Sequence, residues 1–240
     1  MDKLKLISYS FYYLGEYDRI IKAINENADV PIVNVPNAIT IFDAAYPKQL
    51  LNLKCPPMVL YYKGNLDLLK QDAIAIVGSR NASEYALKAT KALVQANQDK
   101  VIVSGLAKGI DTCAHENATK TIGILGCGID YIYPRCNYDL IKKIEREGLI
   151  LSEYPAFSKP IGYHFPFRNR LIACLSSKTY VMQSTLKSGT MTTINEALEL
   201  GKEVKVLPYD VFNRDGINNN HLIYEGANLI EAEELGLWTH

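Results

Sequence analysis

The sequence predicts an α/β fold with a mainly parallel, doubly wound sheet. Short apolar segments that end in glycine alternate about five times with stretches of helical spacing. Three of these strands precede Gly78, Gly105 and Gly126. Such alternation is typical of parallel sheets with helices on both faces. The chain has 240 residues, of which 48% are hydrophobic and 22% charged, so it can form a sizeable core.

The elements can be assigned in chain order. Residues 1–40 are predicted to be a short helical N-terminal extension, with a helical pattern at 20–24 and a polar, proline-containing loop at 25–37. Strands are predicted at 59–62, 73–77, 101–103, 121–125, 149–151, 179–182 and 203–207. Helices are predicted at 83–96, 111–119, 138–147, 170–175 and 192–200, the first of them capped by Ser83.

Composition and charge exclude several classes of protein. Basic and acidic residues number 26 each, which argues against a polycationic nucleic-acid coat but not against a local basic patch. The sequence has neither an apolar run long enough to span a membrane nor a signal-peptide pattern. The five cysteines lack metal-site spacing, so we expect reduced thiols, no metal and a cytoplasmic location. No P-loop or G-x-G-x-x-G motif is present, so we expect no nucleotide cofactor.

Residues 154–195 contain neither Asp nor Glu. This segment holds Lys159, His164, Arg168, Arg170, Lys178 and Lys187. Such a bias predicts a surface that faces a negatively charged ligand.

Three strand-to-helix turns have the features of anion sites. They contain Gly78, Ser79 and Arg80; Ser104, Gly105 and Lys108; and Lys187, Ser188, Gly189 and Thr190. Backbone amides at a helix start favour anions, and the carboxyl ends of parallel strands meet at one edge of a sheet. Asp111 and His115 follow the second turn, where a cap with a hydrogen-bonded helix residue and a catalytic pair are both possible interpretations.

Residues 163–170 combine aromatic and basic side chains. The segment includes Phe165, Arg168, Asn169 and Arg170. Aromatic rings stack on unpaired bases and guanidinium groups hold phosphates, so this composition favours binding of single-stranded nucleic acid.

An ordered series of motifs runs from about Ile41 to about Leu229. It comprises Tyr46-Pro47, Gly64-Asn65, Gly78-Ser-Arg80, Ser104-Gly-x-Ala-x-Gly-Ile-Asp111 with His115, Gly126-x-Gly-x-Asp130 with Tyr133-Pro134 and Asn137, Leu151-Ser-Glu153, Phe165-Pro-x-Arg-Asn-Arg170, Lys187-Ser-Gly189, Gly216-x-Asn218 and Leu222-Ile-x-x-Gly-Ala227. The series resembles the DNA-processing protein A (DprA/Smf) family.

The resemblance implies an extended Rossmann-like domain at residues 41–235. It also implies a cytoplasmic homodimer without established catalytic activity. Such a protein would bind and protect incoming single-stranded DNA and load the recombinase RecA onto it during natural transformation. Mapped by motif, the DNA-binding residues would be Gly78, Ser79, Arg80, Ser104, Gly105, Lys108, Arg135, Phe165, Arg168, Asn169, Arg170, Lys187, Ser188, Gly189 and Thr190.

The sequence departs from the family pattern at three places. The N-terminal extension is at most a remnant of a SAM-like domain, and no C-terminal winged helix is expected. Gln183 stands where the family usually has Glu after the strand.

Two other functions remain open at this point. One is a nucleotide-binding or nucleoside-monophosphate phosphoribohydrolase-like protein, with Arg168 or Arg170 on the phosphate and, in the enzyme, Glu196 as acid/base. The other is a protein scaffold that uses the acidic end, which contains Glu225, Glu231, Glu233 and Glu234.

Overall fold

A computed structural model describes residues 1–185 and 188–238. Within these residues the chain forms one nine-stranded sheet of order β1-β2-β6-β5-β4-β3-β7-β8-β9. The strands are β1 (Ala38–Thr40), β2 (Val59–Gly64), β3 (Ala73–Gly78), β4 (Val101–Ser104), β5 (Thr121–Leu125), β6 (Leu149–Ser152), β7 (Lys178–Gln183), β8 (Glu203–Val206) and β9 (Asn228–Leu229). The β1–β2 and β2–β6 pairs are antiparallel, and the pairs from β6 to β9 are parallel. The predicted mainly parallel sheet is confirmed.

Helices cover both faces of this sheet. They are α1 (Lys3–Tyr12), α2 (Tyr17–Asn25), α3 (Glu84–Ala96), α4 (Ile110–Asn117), α5 (Tyr138–Glu147), α6 (His164–Cys174), α7 (Thr190–Glu199) and α8 (Ile217–Tyr224). Side chains alternate along β3: Ile74 lies in the hydrophobic cluster of α3 and α4, and Ala75 in that of α6 and α7. This alternation places apolar side chains on both faces, as a doubly wound fold requires.

Two helix starts show how local sequence sets the elements. Ser83 caps α3 as predicted, because its Oγ accepts a hydrogen bond from Ala86 N at 3.3 Å. In contrast, α6 begins at His164 rather than at the predicted residue 170. Pro166 lies in the first turn of α6, where a backbone N–H has no intrahelical acceptor, so proline is tolerated there.

The N-terminal extension packs against the sheet. Leu6 of α1 and Ile20 of α2 share a buried cluster with Leu125 of β5. Tyr61 of β2 donates a hydrogen bond to Ser10 Oγ at 3.0 Å. The predicted helical pattern at 20–24 lies inside α2, and α1 falls within the predicted helical extension, whereas α8 was not predicted. The domain boundary near residue 40 stays a prediction.

None of the helices in the part of the chain that the structure describes has the length and apolar character needed to cross a bilayer.

Candidate nucleic-acid interface

A cavity of about 610 Å³ lies at the carboxyl ends of β3 and β7 and is here called the main groove. Its lining comes from five consecutive strand-to-helix connections, as the doubly wound topology dictates. The lining residues are Val77, Gly78, Ser79, Arg80, Asn81, Ala107, Asp111, Tyr133, Gly162, Phe165, Pro166, Arg168, Asn169, Ile172, Thr185, Ser188, Gly189, Thr190 and Thr193.

A side cavity of about 70 Å³ adjoins the main groove. The two cavities share Arg80, Ala107, Tyr133, Phe165 and Arg168, and the side cavity adds Gly105, Leu106, Lys108 and Pro134. Eleven of the fifteen residues predicted from the motifs therefore line one or both cavities. Whether they bind DNA stays a prediction.

Among the described residues that line the two cavities, Arg80 and Lys108 are the exposed cations. Within residues 1–185 and 188–238, neither side chain forms an ion pair or a side-chain hydrogen bond. Both charges are therefore available to an anionic ligand. An Arg side chain adds a planar fork that matches phosphate geometry.

An aromatic shelf lies beside Arg80. The Phe165 and Tyr133 ring centroids are 5.3 Å apart, and Arg80 Cζ lies 5.9 Å from the Phe165 centroid. Tyr133 is 40% exposed. A base could stack on this shelf while Arg80 holds its phosphate. The functional interpretation of the sequence missed Tyr133 as a groove residue, although Tyr133-Pro134 belongs to the motif series.

The part of the main groove that comes from the β7–α7 connection is rich in hydroxyl groups and is here called the hydroxyl-rich wall. It includes Thr185, Ser188, Thr190 and Thr193 around the start of α7. The side-chain amide of Asn169 donates to Gly189 O at 2.9 Å and to Thr192 Oγ1 at 2.8 Å, which holds this turn in place. The positive end of the α7 dipole points toward the groove and favours anions. Lys187, predicted in this turn, lies outside the described residues.

Arg168 differs from the prediction of a ligand-facing cation. Its side chain is 4% exposed and donates to the Gly105 and Ile124 carbonyl oxygens and to Asn169 Oδ1. Burial lowers the pKa of its guanidinium to about 10. Arg168 therefore ties the ends of β4 and β5 together at the wall of the two cavities and acts as a positioning residue.

Asp111 and His115 have structural roles. Asp111 Oδ2 accepts hydrogen bonds from Gly105 N at 3.1 Å and Ala107 N at 3.2 Å, and burial raises the pKa of its carboxyl. His115 Nδ1 lies 2.6 Å from Thr121 Oγ1, and burial lowers the imidazole pKa to about 3. Of the two interpretations from the sequence, the geometry supports the structural one. Asp111 holds the preceding loop, however, and does not cap α4.

Replacing Gly109 by Ala should destabilise the protein by about 1–3 kcal/mol. Gly109 has a φ of +75°, and a Cβ there would overlap the Ser79 carbonyl oxygen, forcing apart the turns that carry Arg80 and Lys108. Denaturant unfolding measures the loss. Gly201→Ala is the matched control, because Gly201 has a φ of +67° and nothing within 4 Å of the added Cβ. Equal losses at both positions would contradict the close approach at Gly109.

Arg170 is also turned inward, and its prediction as a ligand-facing cation is corrected. It forms a bidentate ion pair with Glu153, with N–O distances of 2.5 and 2.6 Å. Its remaining N–H groups donate to Cys55 O and Phe167 O, and its Cζ lies 3.7 Å from the Phe167 ring centroid. These contacts use every guanidinium donor, so Arg170 is a structural link between α6 and β6.

Ser104 and Arg135 lie outside both cavities. Ser104 is fully buried and donates to Ile76 O at 2.6 Å, which joins β4 to β3. Arg135 is exposed and lines a separate cavity beyond Tyr133.

The acid-free segment 154–195 is less cationic at the surface than its sequence suggests. Besides Arg168 and Arg170, its basic groups include Lys178, which pairs with Glu203 at 3.1 Å, and His164, which lies 2.8 Å from Glu16. Lys159 of this segment is exposed but lines neither cavity, so among the described residues the exposed cations of the groove come from Gly78–Arg80 and Ser104–Lys108.

Gln183, which stands where the family usually has Glu, provides a hydrogen-bond acceptor for the backbone at the start of α3. Its Oε1 accepts a hydrogen bond from Ser83 N at 2.8 Å. This bond holds the capping residue of α3 without a negative charge near the groove.

The family model for DNA recombination-mediator protein A matches residues 37–236. The chain belongs to this family. Among curated DprA/Smf relatives, the DNA processing protein DprA of Streptococcus pneumoniae is 42% identical over 202 residues, covering 81% of this chain and 71% of the relative. Protein Smf of Synechocystis is 41% identical over 210 residues, and the chain spans 52% of its length.

Solved DprA structures share the fold. The S. pneumoniae DprA structure has a TM-score of 0.79 at 36% identity and covers 93% of this chain and 81% of its own. A Helicobacter pylori DprA structure, which concerns the single-stranded DNA binding mode of that protein, has a TM-score of 0.73 at 38% identity. It covers 80% of this chain and 90% of its own. These matches confirm the Rossmann-like fold that the motif series implied.

Proposed function

We propose that this DprA/Smf chain binds single-stranded DNA in the main groove. The observation that carries the proposal is the pair of exposed cations, Arg80 and Lys108, beside the Phe165–Tyr133 shelf. Phosphates would contact the two cations and the hydroxyl-rich wall, while a base stacks on the shelf. The bases of a duplex are already stacked and paired, so a groove of this kind favours an unpaired strand. The H. pylori relative supports the same ligand class.

A gel-shift comparison of single- and double-stranded DNA tests this proposal. Wild-type protein should shift the single strand at lower concentration than the duplex, and the shift should weaken as salt rises, because cations bound to the backbone are released. The Arg168→Ala variant should lose stability as well as affinity, since Arg168 positions the loops. Equal affinity for both DNA forms, or binding that is independent of salt, would refute the proposal.

We further propose that the protein acts in the cytoplasm as a homodimer that protects incoming single-stranded DNA and helps to load RecA during natural transformation. Membership of the recombination-mediator family supports this role. The test measures RecA filament formation on DNA coated with a single-strand-binding protein. Adding this protein should shorten the delay before filaments form, and no change in the delay would contradict the loading role.

The groove is proposed to bind without catalysis. Glu196, the acid/base of the phosphoribohydrolase interpretation, lies outside both cavities on the part of α7 near Lys54 and Arg170. Asp111 and His115 are buried in structural contacts. Incubation with nucleoside monophosphates should release no free base, and release of a base that depends on Glu196 would favour the enzyme.

A further inference from the structure

A second surface of unusual composition lies next to the main groove, on the connection between β5 and α5. It encloses a cavity of about 600 Å³ lined by Asp130, Tyr131, Ile132, Arg135 and Tyr138. Tyr131 is 37% exposed and Tyr138 is 52% exposed, so both rings are available for contacts. Tyr131, Arg135 and Tyr138 are here called the tyrosine ledge.

The charge of the tyrosine ledge is positive. Arg135 is exposed, and it has no ion pair or side-chain hydrogen bond with any residue that the structure describes. Asp130, the acidic residue of the lining, is paired with Lys63 at 2.6 Å. Asp139 lies in the first turn of α5 but does not line the cavity. The combination of a free Arg with exposed tyrosines is the chemistry that holds unpaired bases and their phosphates.

The tyrosine ledge lies on the same β5–α5 connection as Tyr133 of the main groove. Tyr133 belongs to the same connection and lines the main groove, where its ring lies against Phe165. Tyr131 and Arg135 are each two residues from Tyr133, so their Cα atoms lie within about 7 Å of the Tyr133 Cα. A strand that leaves the Phe165–Tyr133 shelf along this connection would meet Tyr131 and Arg135.

We propose that the tyrosine ledge is a second subsite for single-stranded DNA, which extends the path of a strand held in the main groove. This inference rests on the proposed function. Bases stack on Tyr131 and Tyr138, and Arg135 binds a phosphate between them. The subsite contributes affinity only for strands long enough to reach past Tyr133.

Fluorescence anisotropy with two oligothymidylates tests the subsite, one of about 5 nucleotides and one of about 15, which span known single-strand site sizes. Wild-type protein should bind the longer strand more tightly. The double variant Tyr131→Ala/Tyr138→Ala should lose about tenfold in affinity for the longer strand and none for the shorter. Tyr131→Phe/Tyr138→Phe keeps both rings and should bind like wild type. Arg135→Ala should lower the salt slope for the longer strand by about 0.7.

The outcomes separate this inference from the proposed function. If wild type binds neither strand, the proposed function fails and the subsite with it. A second outcome is that the alanine variant prefers the longer strand over the shorter one by the same factor as wild type does. That result would refute the subsite but leave the proposed binding in the main groove intact. An equal loss of affinity for both strands would also refute the subsite, because the two tyrosine rings would then affect binding in the main groove itself. Thermal unfolding of each variant shows whether the fold is retained.

Discussion

Replacing Arg170 by Ala is expected to lower the free energy of unfolding by about 3–5 kcal/mol. Arg170 and Glu153 are both about 5% exposed, so the substitution would leave the Glu153 carboxylate buried without its partner. The carbonyl oxygens of Cys55 and Phe167 would lose their donors as well. Chemical denaturation at neutral pH measures the loss.

The double variant Glu153→Leu/Arg170→Met is the control for this prediction. It replaces both charges by apolar groups, which costs far less than breaking one side of a buried pair. We expect it to recover most of the lost stability. A loss below about 1 kcal/mol for Arg170→Ala would mean that the pair behaves as a solvated surface contact, contrary to its burial.

Replacing Arg80 by Ala is expected to weaken single-stranded DNA binding by about tenfold or more, because a hydrogen bond to a charged group is lost. All sequences should be affected alike, since a phosphate contact reads no base. The unfolding midpoint should not change, because Arg80 is exposed. Anisotropy titration with an oligothymidylate and with a strand of mixed sequence measures the effect.

Arg146→Ala is the matched control for Arg80. Arg146 is also exposed, but it lies in the last turn of α5, directly before β6, and hence at the edge of the sheet opposite the main groove. Its removal changes the net charge by the same amount. If Arg146→Ala weakened binding as much as Arg80→Ala, the effect would reflect overall charge and the groove would not be the binding site.

The sequence predicted the central sheet well because the signals there are local. The strands before Gly78 and Gly105 are short apolar runs that end in glycine, and Ser83 marks the start of α3. The helix that it missed, α8, has weaker signals. The asparagine-rich α8 consists largely of poor helix formers, and packing on the sheet stabilises it.

The sequence predicted where the site lies but not which of its basic side chains are exposed and which are buried. Arg80 and Arg170 both sit in motifs that predict binding of an anion, and nothing in either motif shows which side chain is buried. The difference depends on Glu153, which comes from the end of another strand and reaches Arg170 only in the folded chain. Arg168 likewise finds its acceptors on the β4 and β5 connections. Pairing across elements decides which charges face solvent.

Ultraviolet cross-linking of an oligothymidylate to the wild-type protein, followed by mass spectrometric mapping, tests the location of the bound strand. Cross-links at Phe165 or Tyr133 are expected, because these rings form the shelf on which bases stack. Cross-links confined to exposed aromatics that line neither cavity, such as Phe212 or Tyr224, would contradict the assignment of the main groove as the DNA-binding site.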